Sequence, residues 1–175
     1  AIYLNPHFRD AALAHALSAG LDAAGLTAHR VGEGYAGDGL AGWVGVDEDW
    51  ATKAAHAKLL VSAPGMAALS IAQVYQRPIL LVLTDQPEQA ANAARAAQLG
   101  LKHRAVIWRG DGAQFEAQVK EAAADLTRDA ARQAPAAEGR ERAQMRVEAW
   151  VERIFALGAD APPPAANRLR ERQPS

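Results

Sequence analysis

The chain of 175 residues contains no cysteine, which excludes disulfide bonds and thiolate-bound zinc and leaves the redox compartment open. Aromatic residues make up only 6% against 50% hydrophobic residues overall, so a core must be built mostly from Ala, Val, Leu and Ile. No apolar run approaches the roughly 20 residues of a membrane-spanning helix, and the first residues lack a basic-then-apolar signal pattern. Neither sign of charge is in excess: Lys+Arg number 19 and Asp+Glu 20, for a net charge of −1. That balance gives no electrostatic footprint for nucleic acid or an anionic membrane, and it turns the expectation towards small molecules or proteins as partners. The expected location is the cytoplasm or the inner face of its membrane.

What is present is an alternation of short apolar runs with amphipathic ones. Ile2 to Leu4 is a strand signal broken by Asn5-Pro6-His7-Phe8, and Leu13, Leu17 and Leu21 then recur every four residues in a helix from about Phe8 to Ala24 that Gly25 can end. Thr27 to Val31 is a second strand, and the glycine-dense Gly32 to Gly39 is expected to be a mobile surface loop. Its spacing fits neither a Walker loop nor a dinucleotide fingerprint. Leu40 to Val46 is a third strand, with Asp47 placed to cap a short helix from Glu48 to Ala57. Lys58 to Val61 is the fourth. A helix from Ala63 to Gln76, with Pro64 near its first turn, leads to a strand at Ile79 to Leu83. A helix from Gln86 to Leu99 is closed by Gly100, and His103 to Trp108 is the sixth strand.

This alternation predicts an α/β fold, a doubly wound, Rossmann-like parallel sheet of about six strands, with an extra C-terminal helix. Residues 1–132 are expected to form that domain, with its last helix from about Gly112 to Arg132. Residues 133–140, around Pro135 to Gly139, read as a linker. Residues 141–158 read as a final helix with Met145, Val147, Trp150, Val151, Ile154 and Phe155 available for one apolar face, and 159–175 as a disordered tail. The chain opens almost inside a strand and without Met, as a fragment or processed piece of something longer would.

Ligands of such sheets bind outside the carboxyl ends of the strands, where strand order reverses. Three groups of polar or small residues fall at those ends: Asn5 to Arg9, Ser62 to Ala67, and Thr84 to Asn92. In the second, Gly65 allows close approach to the backbone, and the N–H groups of Met66 and Ala67 can point at an anion. A tight strand-to-helix turn capped by Ser62 accounts for the same residues without a ligand. In the third, clustered carboxylates and amides suit sugar hydroxyls. A helix start capped by Asp85 explains Asp85 and Glu88, but not the spacing of Gln89 and Asn92.

Other constellations carry less. His15, His29, His56 and His103 show no metal-ligand spacing, so no metal site is expected. There is no Gly-x-Ser-x-Gly elbow. Trp43, Trp50, Trp108 and Trp150 are not interleaved with basic residues and suit packing better than a stacking platform.

The order of motifs resembles the nucleotide-sugar-binding, C-terminal domain of GT-B glycosyltransferases, and within them the MurG-like group. The residues that carry this are Ala57-Lys58-Leu59-Leu60-Val61-Ser62-Ala63-Pro64-Gly65, then Arg77-Pro78-Ile79-Leu80-Leu81-Val82, then Glu88-Gln89-Ala90-Ala91-Asn92-Ala93. The likeness covers roughly Leu40 to Trp108, and more loosely Ile2 to Leu126. It implies transfer of a sugar from a nucleoside-diphosphate sugar, with UDP the expected nucleotide, and no metal or other cofactor. It also implies Ser62, Gly65, Met66 and Ala67 at the diphosphate, Val46 and Asp47 bordering the base, and Glu88, Gln89 and Asn92 at the sugar. Apart from the resemblance, Asn5 and His7 stand at the end of the first strand, where His7 suits a base or, with Asn5, a phosphate contact, and equally a histidine of a surface loop. The family's acceptor-binding half-domain, which normally carries the catalytic base, is missing from this sequence and would be a further domain or a partner subunit, so no catalytic residue is assigned. Four departures stand out. Ile71 replaces the family's ribose-binding acid, Ala63 its Arg, Lys58 its Asp before the strand, and Asn5-Pro6-His7-Phe8 its glycine-rich turn. They leave a second reading open, a non-catalytic binding or interaction module with a decayed nucleotide site.

Overall fold

The computed structural model describes residues 1–5, 7–36, 40–128 and 136–159. Six parallel strands form one sheet: β1 (Ile2–Tyr3), β2 (Arg30–Val31), β3 (Trp43–Val44), β4 (Leu60–Ser62), β5 (Ile79–Leu83) and β6 (His103–Ile107). Their order is β3-β2-β1-β4-β5-β6, so the chain winds outwards in one direction from β1, crosses back, and winds outwards in the other from β4. The fold is thus the expected α/β, Rossmann-like one, and the reversal of strand order lies between β1 and β4, where Tyr3 pairs with Ser62.

Helices cover both faces: α1 (Ala11–Ala23), α2 (Glu33–Ala36), α3 (Trp50–His56), α4 (Met66–Tyr75), α5 (Pro87–Gln98), α6 (Gly112–Thr127) and α7 (Ala136–Ala159). Because side chains alternate along a strand, β5 feeds Leu80 and Val82 to one core and Ile79, Leu81 and Leu83 to the other. The first core holds α1, α6 and most of the large rings, among them Phe8, Tyr35, Trp43, Trp108 and Phe115. The second lies under α3, α4 and α5 and is largely alanine and leucine. A strand buried on both faces reads as a continuous apolar run, and for that reason β5 has the bounds its sequence predicts.

Helix ends follow local chemistry. Asp10 caps α1 by accepting from Ala12 N–H at 2.9 Å. Gly25 (φ +73°) and Gly100 (φ +68°) take the left-handed turn that leaves α1 and α5, as their positions predict. The buried Arg77 donates from Nε to the carbonyl of Ala55 near the end of α3 at 2.7 Å, and burial lowers the pKa of its guanidinium.

Several expectations are corrected. Residues 33–36 form a helical turn rather than loop, which places Tyr35 fully buried and tilted at 55° against Trp43, with 4.6 Å between ring centroids. Residues 37–39 lie outside the described part. Asp47 does not cap α3, whose N-cap is Asp49; its carboxylate accepts instead from the Asp49 N–H at 2.9 Å. Pro64 precedes the N-cap of α4, and Ser62 lies within β4 rather than capping the helix. Asp85 does not cap α5, which begins after Gln86. Finally α7 starts at Ala136, so the helix runs through Ala136 to Gly139 where a break was expected. Residues 129–135 and 160–175, with the rest of the expected linker and the tail, lie outside the described part.

Candidate functional site

The crevice at the reversal is bordered by the segment after β1 and by the β4–α4 turn. Asn5 is half-buried and folds the first of these: its Oδ1 accepts from His7 N–H at 3.3 Å and its carbonyl from Phe8 N–H at 3.0 Å. His7 is exposed. On the other side Ser62 is buried, whereas Gly65, Met66 and Ala67 are exposed. The first α4 bond runs from Leu69 N–H to the Gly65 carbonyl at 3.1 Å, which leaves the N–H groups of Met66, Ala67 and Ala68 ahead of the helical ladder. Gly65 is extended (φ −101°), and a Cβ built there would meet no atom within 4 Å. Neither backbone strain nor internal packing demands glycine at 65, and the space before the helix is open.

Four long helices begin beside the carboxyl ends of strands, and they differ in how that positive end is treated. Asp10 caps α1, Glu88 sits in the first turn of α5, and Asp111 caps α6 by accepting from Gln114 N–H at 3.0 Å. The α4 terminus has neither a capping side chain nor an acidic first turn. It is also the one nearest the strand reversal on the β4 side. At α1, by contrast, Asp10 is engaged twice, since its second oxygen accepts from Trp108 Nε1 at 2.8 Å, and a carboxylate already occupies the place where a phosphate would go.

The β5–α5 turn lies next to the β4–α4 turn, because Ser62 pairs with Leu81. Glu88 is exposed and Asn92 half-buried. Gln89 is turned inwards: its Oε1 accepts from Thr84 N–H at 2.6 Å and Thr84 Oγ1 at 3.1 Å, and its Nε2 donates to Gln86 Oε1 at 3.2 Å. The spacing that suggested a sugar contact is therefore also explained by a side chain that ties the end of β5 to the start of α5. Arg95, which the sequence did not single out, places Nη1 3.5 Å from Met66 Sδ. Its signal was present as the heptad Glu88, Asn92, Arg95, one stripe of α5.

Val46 and Asp47 are carried elsewhere. The Asp47 carboxylate accepts from His29 Nε2 at 2.5 Å and Lys53 Nζ at 2.6 Å, and the Lys53 bond, more than any other contact, lowers its pKa. His29 immediately precedes β2, and Trp50 Nε1 donates to the carbonyl of Ile2 at 3.2 Å. The β3–α3 connection is thus pinned beside the first residues of β1 and β2, not drawn over their carboxyl ends. Val46 is exposed.

Ile71 is partly buried and packs against the second core, which is why a carboxylate does not suit that position in this chain. His15, His56 and His103 bond to nearby carbonyls, of Ala11, Thr52 and Leu101. Among the described residues no group of three His, Asp or Glu could hold a metal ion, and no helix is long and apolar enough to cross a membrane. A cavity of about 310 Å³ lies at the opposite, amino-terminal end of β1 and β4, lined by Ile2, Leu26, Ala57 and Leu59. Two open grooves of about 450 Å³ run along β6 and α6 beside Arg104, Asp125 and Arg128.

No protein-family model matches this chain, and neither a curated protein nor a solved structure matches it. The chemistry of the crevice has to be read from its own residues. What it offers is an exposed helix start whose first N–H groups lie ahead of the helical ladder, a geometry that can receive an anion without a basic cage.

Proposed function

We propose that the domain binds the diphosphate of a nucleoside-diphosphate sugar at the amino end of α4, as the donor-binding part of a GT-B-like glycosyltransferase. The observation that carries this reading is the open α4 terminus beside the strand reversal, which alone among the four has neither a capping side chain nor an acidic residue in its first turn. In this reading the N–H groups of Met66, Ala67 and Ala68 hold phosphoryl oxygens, Gly65 lets them approach, and Glu88 and Asn92 stand on the sugar side. When the sugar carbon is displaced, the departing diphosphate gains negative charge; fixed N–H dipoles oppose that charge without reorganising. The acceptor and the base that activates it belong to a further domain or a partner.

A second reading is favoured by specific residues. Ile71 is partly buried against the second core, Asp47 is held by His29 and Lys53, and Gln89 is bonded to Thr84, so the ribose, base and sugar contacts of the resemblance are weakened together. In that case the same crevice is an anion-recognising or interaction module without transfer chemistry.

Titration calorimetry and saturation-transfer NMR with UDP, GDP, dTDP and their sugars separate the two. Binding of a nucleotide below millimolar concentration, and tighter than pyrophosphate, supports the donor site. Equal affinity for pyrophosphate and nucleotide supports the second reading, and no binding of either by the folded protein removes both.

A further inference from the structure

The amino end of α7 is docked. Gly139 lies so close to α4 that a Cβ there would sit 2.7 Å from Tyr75 Cδ1 and 2.9 Å from the Val74 carbonyl, to which Arg142 also donates at 3.5 Å. Beyond Ala143 the described side chains of the helix face solvent. Residues 144–149 and 151–153 are all exposed, including Met145 (59%), Val147 (60%) and Val151 (38%). Val147 and Val151 are one turn apart on one stripe, and the sequence continues that spacing with Trp150 and Ile154.

The charges beside this stripe are sorted. At about 100° per residue, Arg146 and Arg153 fall on one flank of Val147, and Glu141, Glu148 and Glu152 on the other. We propose that the stripe is covered by α7 of a second copy of this chain, the two helices running parallel and in register. A two-fold axis along the helices sets the basic flank of each against the acidic flank of the other, with Arg146 level with the partner's Glu148 and Arg153 level with its Glu152. An antiparallel pair, related by an axis across the helices, sets Arg against Arg and Glu against Glu. Four Arg and four Glu in Ala136–Ala159 give no net charge, which disfavours an anionic bilayer as the occupant. Residues 160–175 contain one large apolar residue, Leu169, and so offer no matching stripe. The sixteen residues from 144 to 159 span about 24 Å, so the pair is modest in size and its population depends on concentration.

The absence of cysteine gives a clean test. In sedimentation of the full chain the dimer fraction should rise with concentration and disappear in Val147→Glu, a substitution at an exposed site that leaves the monomer's unfolding curve unchanged. Under mild oxidation Val147→Cys and Val151→Cys should each cross-link to itself. Arg146→Glu should weaken the dimer several-fold, and Arg146→Glu with Glu148→Arg should restore it. A chain that stays monomeric at hundreds of micromolar, a dimer indifferent to Val147→Glu, or cross-links formed only between mixed 147 and 151 variants each overturn the proposal.

Discussion

Asp10 and Trp108, 98 residues apart in sequence, are joined past the carboxyl ends of β1 and β6: one oxygen of the carboxylate caps Ala12 at the start of α1 while the other accepts at 2.8 Å from the indole nitrogen. This pair occupies one of the two helix termini that flank the strand reversal, and under the proposed function the anion is therefore expected at α4. Asp10→Ala should destabilise the domain by about 1 to 2 kcal/mol, through loss of the cap and of the indole's partner. The urea midpoint measures it; a midpoint equal to wild type means the indole finds another acceptor without loss.

Gly65→Val should leave the unfolding curve of the protein near wild type, since the site of its Cβ is open, and should abolish nucleotide binding in the calorimeter. Arg95→Gln should weaken binding by a smaller, several-fold factor and flatten its salt dependence. Nucleotide affinity unaffected by Gly65→Val places the ligand away from α4.

Gly20 should behave in the opposite way. A Cβ there would lie 2.7 Å from both Val119 Cβ and the Glu116 carbonyl, so Gly20→Ala forces α1 and α6 apart. We expect a loss of about 1 to 3 kcal/mol, despite alanine's advantage of about 1 kcal/mol in a helix. A stabilised Gly20→Ala variant is incompatible with the close α1–α6 crossing.

The Asp47 clip should be visible in the acid limb of stability. Its pKa is lowered in the folded protein, chiefly by Lys53 and also by His29 and the Asp49 N–H, so the ionised form is favoured by folding. The contribution is complete above the ordinary carboxylate value, about 4, and is lost as pH falls through the lower native value. Asp47→Asn should therefore be less stable than wild type at neutral pH, with the two converging below about pH 4. Parallel curves across that range would show that the clip adds nothing.

Much of the fold was legible because a buried parallel strand and an amphipathic helix have different apolar periods, and β5, α5 and β6 were read almost to the residue. The misread positions answer to parts of the chain that are distant in sequence: nothing local shows that Tyr35 would be drawn into the core against Trp43, or that Asp47 would answer to His29, eighteen residues earlier. Of the candidate site, the β4–α4 turn was singled out from Ser62 to Ala67, where a strand feeds directly into a helix through Gly65. That its helix start carries neither a cap nor an acidic residue, unlike α1, α5 and α6, could be recognised only once the helix boundaries were in place.

The two faces of the sheet are unequally filled. The core under α3, α4 and α5 has four alanines among its nine buried residues, and α5 itself contributes a single buried residue, Ala96. Small side chains hold less apolar surface from water, so this half of the molecule has less to lose by separating from the sheet. In native-state hydrogen exchange, among the helices that pack on the sheet, the amides of α5 should open before those of α1 and α6. The open helix terminus thus stands on the side of the molecule that breathes, where an anion bound at α4 would register as slowed exchange in its neighbour before any change in the global unfolding curve.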